Sequence, residues 1–428
     1  MPETLDDWLI HLEALHPKGA AGIELGLERV AQVSRALDQQ RSFPVITVAG
    51  TNGKGSTCAM LASILGCAGY RVGLYTSPHL LAYNERVRIG GLAADSTELC
   101  RGFARVEAVR GAAALTYFEF GTLAAWECFA AAAVDVAILE VGLGGRLDAV
   151  NIYDSDCAIV TGVDIDHTDF LGSTREEIGF EKAGIFRSGK PAVCADSDPP
   201  HGLLGHAATI GTELRLIGRD FGYQRHEGQW QFWSKEGGEV HRHSALAYPA
   251  LRGAIQLKNA SASLAALRTL RERLPVAMQD IRRGLLEVEL PGRFQVIPGR
   301  PMVILDVAHN PEAARVLAEN LGSQLGDGSY HPRTWAVFGM LRDKDIGAVV
   351  RELAGRVSHW LPCSLSGARA ANSGELARVL AGEGITAPQL FASPLQAFRH
   401  AQDNADDDDR ILVFGSFQTV ADILRELA

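Results

Sequence analysis

A five-residue apolar run, Val45-Ile-Thr-Val-Ala49, breaks into Gly50-Thr-Asn-Gly-Lys-Gly-Ser-Thr57, and a helical segment follows from Cys58 to Ala68. The β-branched run reads as a buried strand. Glycines at 50, 53 and 55 let backbone N–H groups approach a ligand closely. A helix N-terminus adds positive potential, Lys54 adds a charge, and a hydroxyl can reach Mg2+. Gly50, Thr51, Asn52, Gly53, Lys54, Gly55, Ser56 and Thr57 are therefore candidate polyphosphate ligands. The spacing departs from G-x-x-x-x-G-K-[ST], with Val at 48 and Gly55 between Lys54 and Ser56. A glycine-rich turn with a solvated lysine is the alternative. The order of strand, glycines, lysine, hydroxyls and helix favours the phosphate site.

This unit commits the chain to an α/β fold. Four more apolar runs, Arg71–Tyr75, Val136–Val141, Ala158–Val163 and Pro191–Ala195, have the length of buried parallel strands with helices between them. They predict an N-terminal, mainly parallel P-loop-type sheet flanked by helices. Residues 212–250 alternate, with Leu214–Ile217 and Gln229–Ser234 as short strands of a small antiparallel patch; a helix over Leu257–Arg273 follows. The Pro- and Gly-dense stretch Leu290–Pro301 marks a domain boundary, placed after residue 294. A second βα series (Met302–Val307, Trp335–Gly339, His359–Pro362, Ile411–Gly415) predicts a Rossmann-like C-terminal domain over 295–428. The acids Asp406–Asp409 read as a solvated loop before the last strand.

Two domains suit 428 residues. A net charge of −10 argues against broad contact with nucleic acid or anionic membrane, but not against locally held ATP. Seven cysteines without a C-x-x-C pair suit the cytoplasm and give no zinc site. The N-terminus has acids at Glu3, Asp6 and Asp7 and no apolar core of signal length. Leu123–Leu139 is interrupted by Glu127 and Asp135, and reads as a buried helix then a strand, not a membrane span.

Further candidates lie at strand ends, where α/β sheets put ligands. Glu140 precedes Val-Gly-Leu-Gly-Gly-Arg-Leu-Asp148-Ala149. Its carboxylate can reach a nucleotide-bound Mg2+ or cap a turn. His167, in Asp-Ile-Asp-His-Thr-Asp169, can ligate a metal or pack as a polar residue. Ser77, before Pro78-His79, can complete a metal shell or cap a turn. Lys182 sits in Phe180-Glu-Lys-Ala-Gly-Ile-Phe186, either on a solvated helix face or buried, where an ammonium is costly unless paired or carbamylated. Asp306 and His309, in Leu-Asp-Val-Ala-His-Asn-Pro311, end a C-terminal strand. Asn259 and Arg293 flank the linker and could reach a nucleotide lying across a domain cleft.

Together these segments resemble the folylpolyglutamate synthase family of the Mur ligase superfamily. The resemblance spans Ile23–Arg29, the loop at 50–57, Ser77–Leu80, Glu140–Asn151, Asp166–Gly172, Glu181–Phe186, Asp306–Pro311 and Gly339–Lys344. Leu115-Thr-Tyr-Phe-Glu-Phe-Gly-Thr122 looks like the bifunctional bacterial type. Those enzymes join L-glutamate to dihydropteroate and add further glutamates to reduced folates. The resemblance implies that the 50–57 loop holds ATP, and that Ser77, Glu140 and His167 hold Mg2+. It implies that Lys182 is carbamylated and supports a second Mg2+, with Lys54, Lys182 and His167 carrying the catalysis. Thr116, Phe118, Asp148 and Ala149 would line the pterin pocket, though the aromatic stretch at 117–120 could equally be core. Val150 departs from the Thr that relatives often carry. Asn259, Arg293, Asp306 and His309 would engage ATP or its products. A monomer, with no nucleic-acid or membrane partner, is expected.

The residue types suit an acyl phosphate route. A carboxylate resists amines, so the ATP γ-phosphoryl group is transferred to it, and the glutamate amine then displaces phosphate. A two-domain cleft would exclude water from the acyl phosphate. A polyglutamylating enzyme only, a Mur-type peptide ligase and a nucleotide-gated switch are the alternatives. The switch lacks an Asn-Lys-x-Asp guanine motif and leaves the C-terminal domain without a role.

Overall fold

A computed structural model describes residues 2–17, 22–39, 43–253, 255–323, 332–387 and 389–427. The chain runs through α1 (Leu5–Leu15), α2 (Glu28–Ala36), β1 (Val45–Ala49), α3 (Lys54–Cys67), β2 (Val72–Tyr75), β3 (Val87–Ile89) and β4 (Leu92–Ala93). Next come α4 (Ser96–Arg110), α5 (Tyr117–Ala131), β5 (Val136–Glu140), β6 (Cys157–Val160), α6 (Thr168–Leu171) and α7 (Arg175–Ala183). Strand β7 (Pro191–Cys194), α8 (His201–Ile210) and β8 (Glu213–Leu216) complete the first sheet.

Its order is β4-β3-β2-β5-β1-β6-β7-β8. The six strands from β2 to β8 pair in parallel, and β3 and β4 add an antiparallel edge. Central strands β1, β5 and β6 are buried along their whole length, as continuous apolar runs require when helices cover both faces. Helix starts are written into the sequence: Asp95, Thr116 and Thr174 each form a capping box with the acid three residues on. The Leu123–Leu139 stretch becomes the end of α5 and then β5, with Phe120, Trp126 and Phe129 buried.

One expected strand changes partners. Leu214–Ile217 was expected in the antiparallel patch, yet Glu213–Leu216 pairs in parallel with β7. Its helix-preceded position lets it close a βαβ unit, which the short alternating pattern does not reveal. The antiparallel ribbon consists of β9 (Phe221–His226), β10 (Gln229–Glu236) and β11 (Glu239–Leu246). Helices α9 (Ile255–Thr269) and α10 (Met278–Glu287) follow. Helix α10 packs on α3 at Gly284, where a Cβ would lie 2.5 Å from the Ile64 Cα.

The chain divides into two compact units, Met1–Ala250 with Leu257–Val288, and Leu251–Gln256 with Glu289–Ala428. The expected boundary lay after residue 294; the units part between Val288 and Glu289. The second unit contains β12 (Gln295–Ile297), β13 (Met302–Asp306), α11 (Pro311–Ser323), β14 (Thr334–Phe338), α12 (Ile346–Leu353) and β15 (His359–Pro362). It ends with α13 (Ser373–Gly382), α14 (Pro394–Asn404), β16 (Arg410–Phe414) and α15 (Phe417–Leu427). Its sheet has the order β12-β13-β16-β14-β15, parallel except for β12, over a core that includes Phe338, Trp360 and Phe414. The acid run at 406–409 is not all solvated. Asp409 is buried and accepts from the Trp335 indole at 3.0 Å and from Arg333 Nε at 3.2 Å. A charge run hides such a residue because burial depends on partners from distant strands.

Candidate active site

In the first unit, four adjacent strands, β2, β5, β1 and β6, end at one edge of the sheet. Ser77 lies two residues beyond β2, Glu140 is the last residue of β5, Lys54 opens the helix after β1, and His167 follows β6. The parallel order therefore gathers residues distant in sequence.

The phosphate loop is locked from beneath. Gly50 has φ +149°, and a Cβ there would lie 1.9 Å from Thr161 Oγ1. Thr161 Oγ1 donates to Asn52 O at 2.6 Å, while Thr51 N donates to Gly162 O at 2.9 Å. Thr51 Oγ1 also accepts from Asp164 N at 3.0 Å. Gly53 has φ +88°, which favours glycine, and a Cβ there would meet Asn259 Oδ1 at 2.6 Å. Asn259 is thus brought onto the loop. Lys54 Nζ folds back to Gly50 O at 2.9 Å and Thr51 O at 3.1 Å. Helix α3 has no side-chain cap, so its first N–H groups stay available for an anion. Ser56 and Thr57 are buried with Gly55 between them and Lys54. Thr57 Oγ1 has no hydrogen-bond partner among the described residues. That orphaned hydroxyl in a phosphate-type loop fits a bound nucleotide and its cation.

On the neighbouring strands, Glu140 is buried, and its Oε2 accepts from Ser77 N at 3.2 Å. His167 takes a left-handed conformation, φ 51°, unusual for a residue with a Cβ and a form of strain that clusters at functional sites. Its Nε2 lies 3.8 Å from Asp166 Oδ2. The set of a hydroxyl, a carboxylate and an imidazole suits Mg2+, which keeps waters and phosphate oxygens in its shell. Among the described residues no three His, Cys, Asp or Glu side chains converge as a complete cage.

Lys182 is buried on α7 beside Ile178, Gly179 and Ala183, which rules out the solvated helix face. Its carbonyl faces Gly145 of the loop after Glu140, where a Cβ would lie 3.0 Å away. Phe180 does not wall it in. That ring is exposed and lies against His206 and beneath Arg146. Ile185 and Phe186 are buried.

The residues expected around a pterin have structural duties as well. Thr116 caps α5: Glu119 N donates to its Oγ1 at 3.2 Å, and Thr116 N donates to Glu119 Oε2 at 2.7 Å. Phe118 lies 5.6 Å from the Tyr75 ring and covers Gly142. Asp148 is buried and accepts from Leu143 N at 2.8 Å and Val150 N at 3.1 Å; Ala149, beside it, is buried too. Desolvation pushes the Asp148 carboxyl up to about 7, against the opposing pull of those N–H groups and of Lys54.

In the second unit, Asp306 Oδ2 accepts from Phe294 N at 2.8 Å and Oδ1 from Ala308 N at 2.7 Å. Desolvation holds its carboxyl above the ordinary value even with Arg293 close by. Arg293 lies 5.4 Å over the Phe417 ring, His309 lies tilted against the same ring at 6.2 Å, and His309 Nδ1 meets Val307 O at 2.8 Å. Arg293, Asp306 and His309 therefore form one cluster at the end of β13. Thr161, which pins the loop, escaped the sequence reading; its only signal was a hydroxyl ending the strand after Glu140's.

Two families match the chain: the Mur ligase middle domain over residues 48–267 and the Mur ligase glutamate ligase domain over 292–417. The dihydrofolate synthase/folylpolyglutamate synthase of Escherichia coli is 44% identical over 98% of this chain and 94% of its own length. That of Haemophilus influenzae is 40% identical over 98% and 96%. A structure of E. coli FolC in complex with DHPP and ADP superposes with a TM-score of 0.92 at 43% identity, covering 99% of this chain and 98% of that one. A bifunctional folylpolyglutamate synthase/dihydrofolate synthase with Mn, AMPPNP and L-glutamate bound gives 0.90 at 45% identity, covering 99% and 98%.

Proposed function

Because this chain belongs to the Mur ligase family, in its dihydrofolate synthase/folylpolyglutamate synthase branch, we propose that it is the ATP- and Mg2+-dependent ligase that joins L-glutamate to dihydropteroate and then extends reduced folates. The observation that carries the reading is the single sheet edge holding the glycine loop, Lys54, Ser77, Glu140 and His167. A Mur-type peptide ligase would share that edge, and the relatives at 44% and 40% identity favour the folate reading over it; no observation favours a switch.

The first unit is the ATP-binding part. N–H groups at the start of α3 and the Lys54 ammonium hold the phosphates and offset charge that builds up as the γ-phosphoryl group moves. Thr161 and Thr51 keep the loop from relaxing, so those donors are aligned before substrate arrives. Asn259 steadies the loop at Gly53. Ser77, Glu140 and His167 hold Mg2+, which supplies Lewis-acid polarisation of the phosphoryl oxygens. The Ser77 N–H donates to Glu140 Oε2 and so helps to orient that carboxylate at the sheet edge. Lys182, once its ammonium has lost a proton, takes up CO2 at Nζ with release of a second proton, and the carbamate oxygens would support a second Mg2+. Lys182 is buried, where an ammonium is costly unless it is paired or carbamylated.

The substrate carboxylate attacks the γ-phosphorus and ADP leaves. The glutamate amine then attacks the acyl carbon of the acyl phosphate, and phosphate departs. Thr116, Phe118, Asp148 and Ala149 hold the pterin: Phe118 offers a ring face, and Asp148 accepts from pterin N–H groups. The second unit is the glutamate and nucleotide part, with Arg293, Asp306 and His309 contacting the nucleotide or its products. The enzyme acts as a cytoplasmic monomer, and no nucleic acid or membrane is among its partners. Seven free cysteines suit that compartment, and among the described residues no helix is long and apolar enough to cross a membrane.

ADP release tests the reading. It is expected only when dihydropteroate and glutamate are supplied together, and again with tetrahydrofolate and glutamate. Release with muropeptide precursors instead, or with no acceptor at all, would overturn it.

A further inference from the structure

Arg86 ends the 3-10 turn Tyr83–Arg86 and leads into β3. Its guanidinium lies over two rings, Tyr83 and Tyr117, each with its centroid 5.3 Å away. Its Nε donates to His79 Nδ1 at 2.8 Å. Three side chains thus hold the fork in place. Among the described residues no carboxylate lies within ion-pair distance of it. The adjacent Glu85 is engaged elsewhere, accepting from the N–H groups of Leu80 at 2.7 Å, Leu81 at 2.7 Å and Ala82 at 2.8 Å.

The groups that hold Arg86 come from the two sides of the site. His79 is two residues beyond Ser77, on the metal side. Tyr117 stands between Thr116 and Phe118, on the pterin side. Below them Tyr83 is buried with a hydroxyl that has no partner among the described residues. The hydroxyls of Tyr83 and Tyr75 converge on Gly121, where a Cβ would be 2.5 Å and 3.0 Å from them. A half-buried guanidinium without an acid is an unfinished site. Flanked by two rings and with Nε engaged by His79, it has its terminal NH2 groups available for bidentate pairing with a planar anion.

Dihydropteroate carries one carboxylate, on the benzoate ring at the end remote from the pterin, and that group must approach the phosphates. We propose that Arg86 receives this carboxylate, pairing with it between the Ser77–Leu80 turn and the start of α5. The assignment rests on the folate-ligase reading above. Charge pairing lowers the repulsion between the carboxylate and the γ-phosphate as they approach, and the fork sets the direction of the attacking oxygen. Arg86 then discriminates an acid from a neutral isostere.

The test compares pteroate with its primary carboxamide, binding to the whole enzyme in the presence of Mg2+ and a non-hydrolysable ATP analogue. Wild-type protein is expected to prefer the acid by about 10-fold or more, as a charge-assisted hydrogen bond gives. Arg86→Gln should bring acid and amide to within about 2-fold, with the KM for ATP unchanged, and Arg86→Lys should retain part of the preference, a lysine being a point charge without the fork. An Arg86→Gln protein that still prefers the acid by the wild-type factor overturns the proposal. If Arg86→Gln does not fold, Arg86→Lys decides, and a wild-type preference in it overturns the proposal. Failure of the wild-type protein to bind either compound, or to release ADP with dihydropteroate and glutamate, would instead sink the folate-ligase reading itself.

Discussion

At the start of α3 the side chains carry few structural duties: the helix has no side-chain cap, and Thr57 Oγ1 has no partner among the described residues. At the start of α5, Thr116 forms both halves of a capping box with Glu119, and Glu119 in turn pairs with Arg29 at 3.0 Å. Asp148 likewise caps the short turn after it. The phosphate side is built from backbone geometry pinned by Thr51, Thr161 and Lys54, with the α3 N-terminus and the Thr57 hydroxyl held in reserve. The pterin side is built from side chains that already stabilise the fold. Substitutions on the first should therefore cost activity alone, and those on the second should cost activity and stability together.

Lys54→Ala gives the largest expected effect, a loss of about 10²-fold or more in ADP release at saturating ATP, with little change in Tm. Near-normal turnover would erase the contrast from the phosphate side. Lys182→Ala should lose most activity, about 10-fold or more by analogy with lost metal support. Acetate should restore part of it by occupying the vacated place. A high-resolution map of active, nucleotide-bound enzyme showing an unmodified ammonium paired with an acid would remove the carbamate. Replacing Glu140 with Gln or His167 with Ala should raise the Mg2+ concentration needed for half-maximal activity by about 10-fold each while the fold persists. An unchanged metal requirement in both variants would move the cation elsewhere.

On the pterin side, Thr116→Ala should lower stability by about 1 kcal/mol, the ordinary worth of a lost N-cap, and should also raise the KM for dihydropteroate. Asp148→Ala should impair dihydropteroate use more than tetrahydrofolate use, read as the ratio of kcat/KM values; equal losses point to a shared pose. The smallest effect concerns pH. Folding raises the Asp148 carboxyl from 3.8 to about 7, so the folded chain binds that proton more tightly than the unfolded one. Its contribution to stability is therefore fully present below pH 3.8 and is lost as pH rises through about 7. Asp148→Asn should flatten that part of the Tm-versus-pH curve. An unaltered slope would show that another group carries it.

The difference between the two sides also explains what could be read from the residues alone. Val45–Thr57 specifies strand, loop and helix through local chemistry: β1 follows it residue for residue, whereas α3 begins at Lys54, four residues before the expected Cys58, so that the lysine and both hydroxyls lie in its first turn. The capping boxes at Asp95, Thr116 and Thr174 are equally local. Leu214–Ile217 was legible as a strand but not as a parallel one, because pairing depends on the neighbour that the fold supplies. Asp409 looked like one of four solvated acids until Trp335 and Arg333 enclosed it. Arg86 left no signal, since its partners His79, Tyr83 and Tyr117 are a scatter of ordinary residues in the sequence.

By itself the sequence determined which short segments carry chemistry: a glycine loop with Lys54, acids and a histidine after apolar runs, and a second βα series beginning at Met302. Those depend on interactions within about ten residues, and alternation, turn chemistry and capping encode them directly. The tertiary structure alone decided that β2, β5, β1 and β6 lie side by side, so that Ser77, Glu140, Lys54 and His167 share one edge. It alone decided that Thr161 fills the space beneath Gly50, that Asn259 reaches Gly53, and that Lys182 is buried. Contacts between residues more than two hundred positions apart, such as Gly53 and Asn259, arise from strand order and packing, and no local pattern records which distant side chain will occupy a given space.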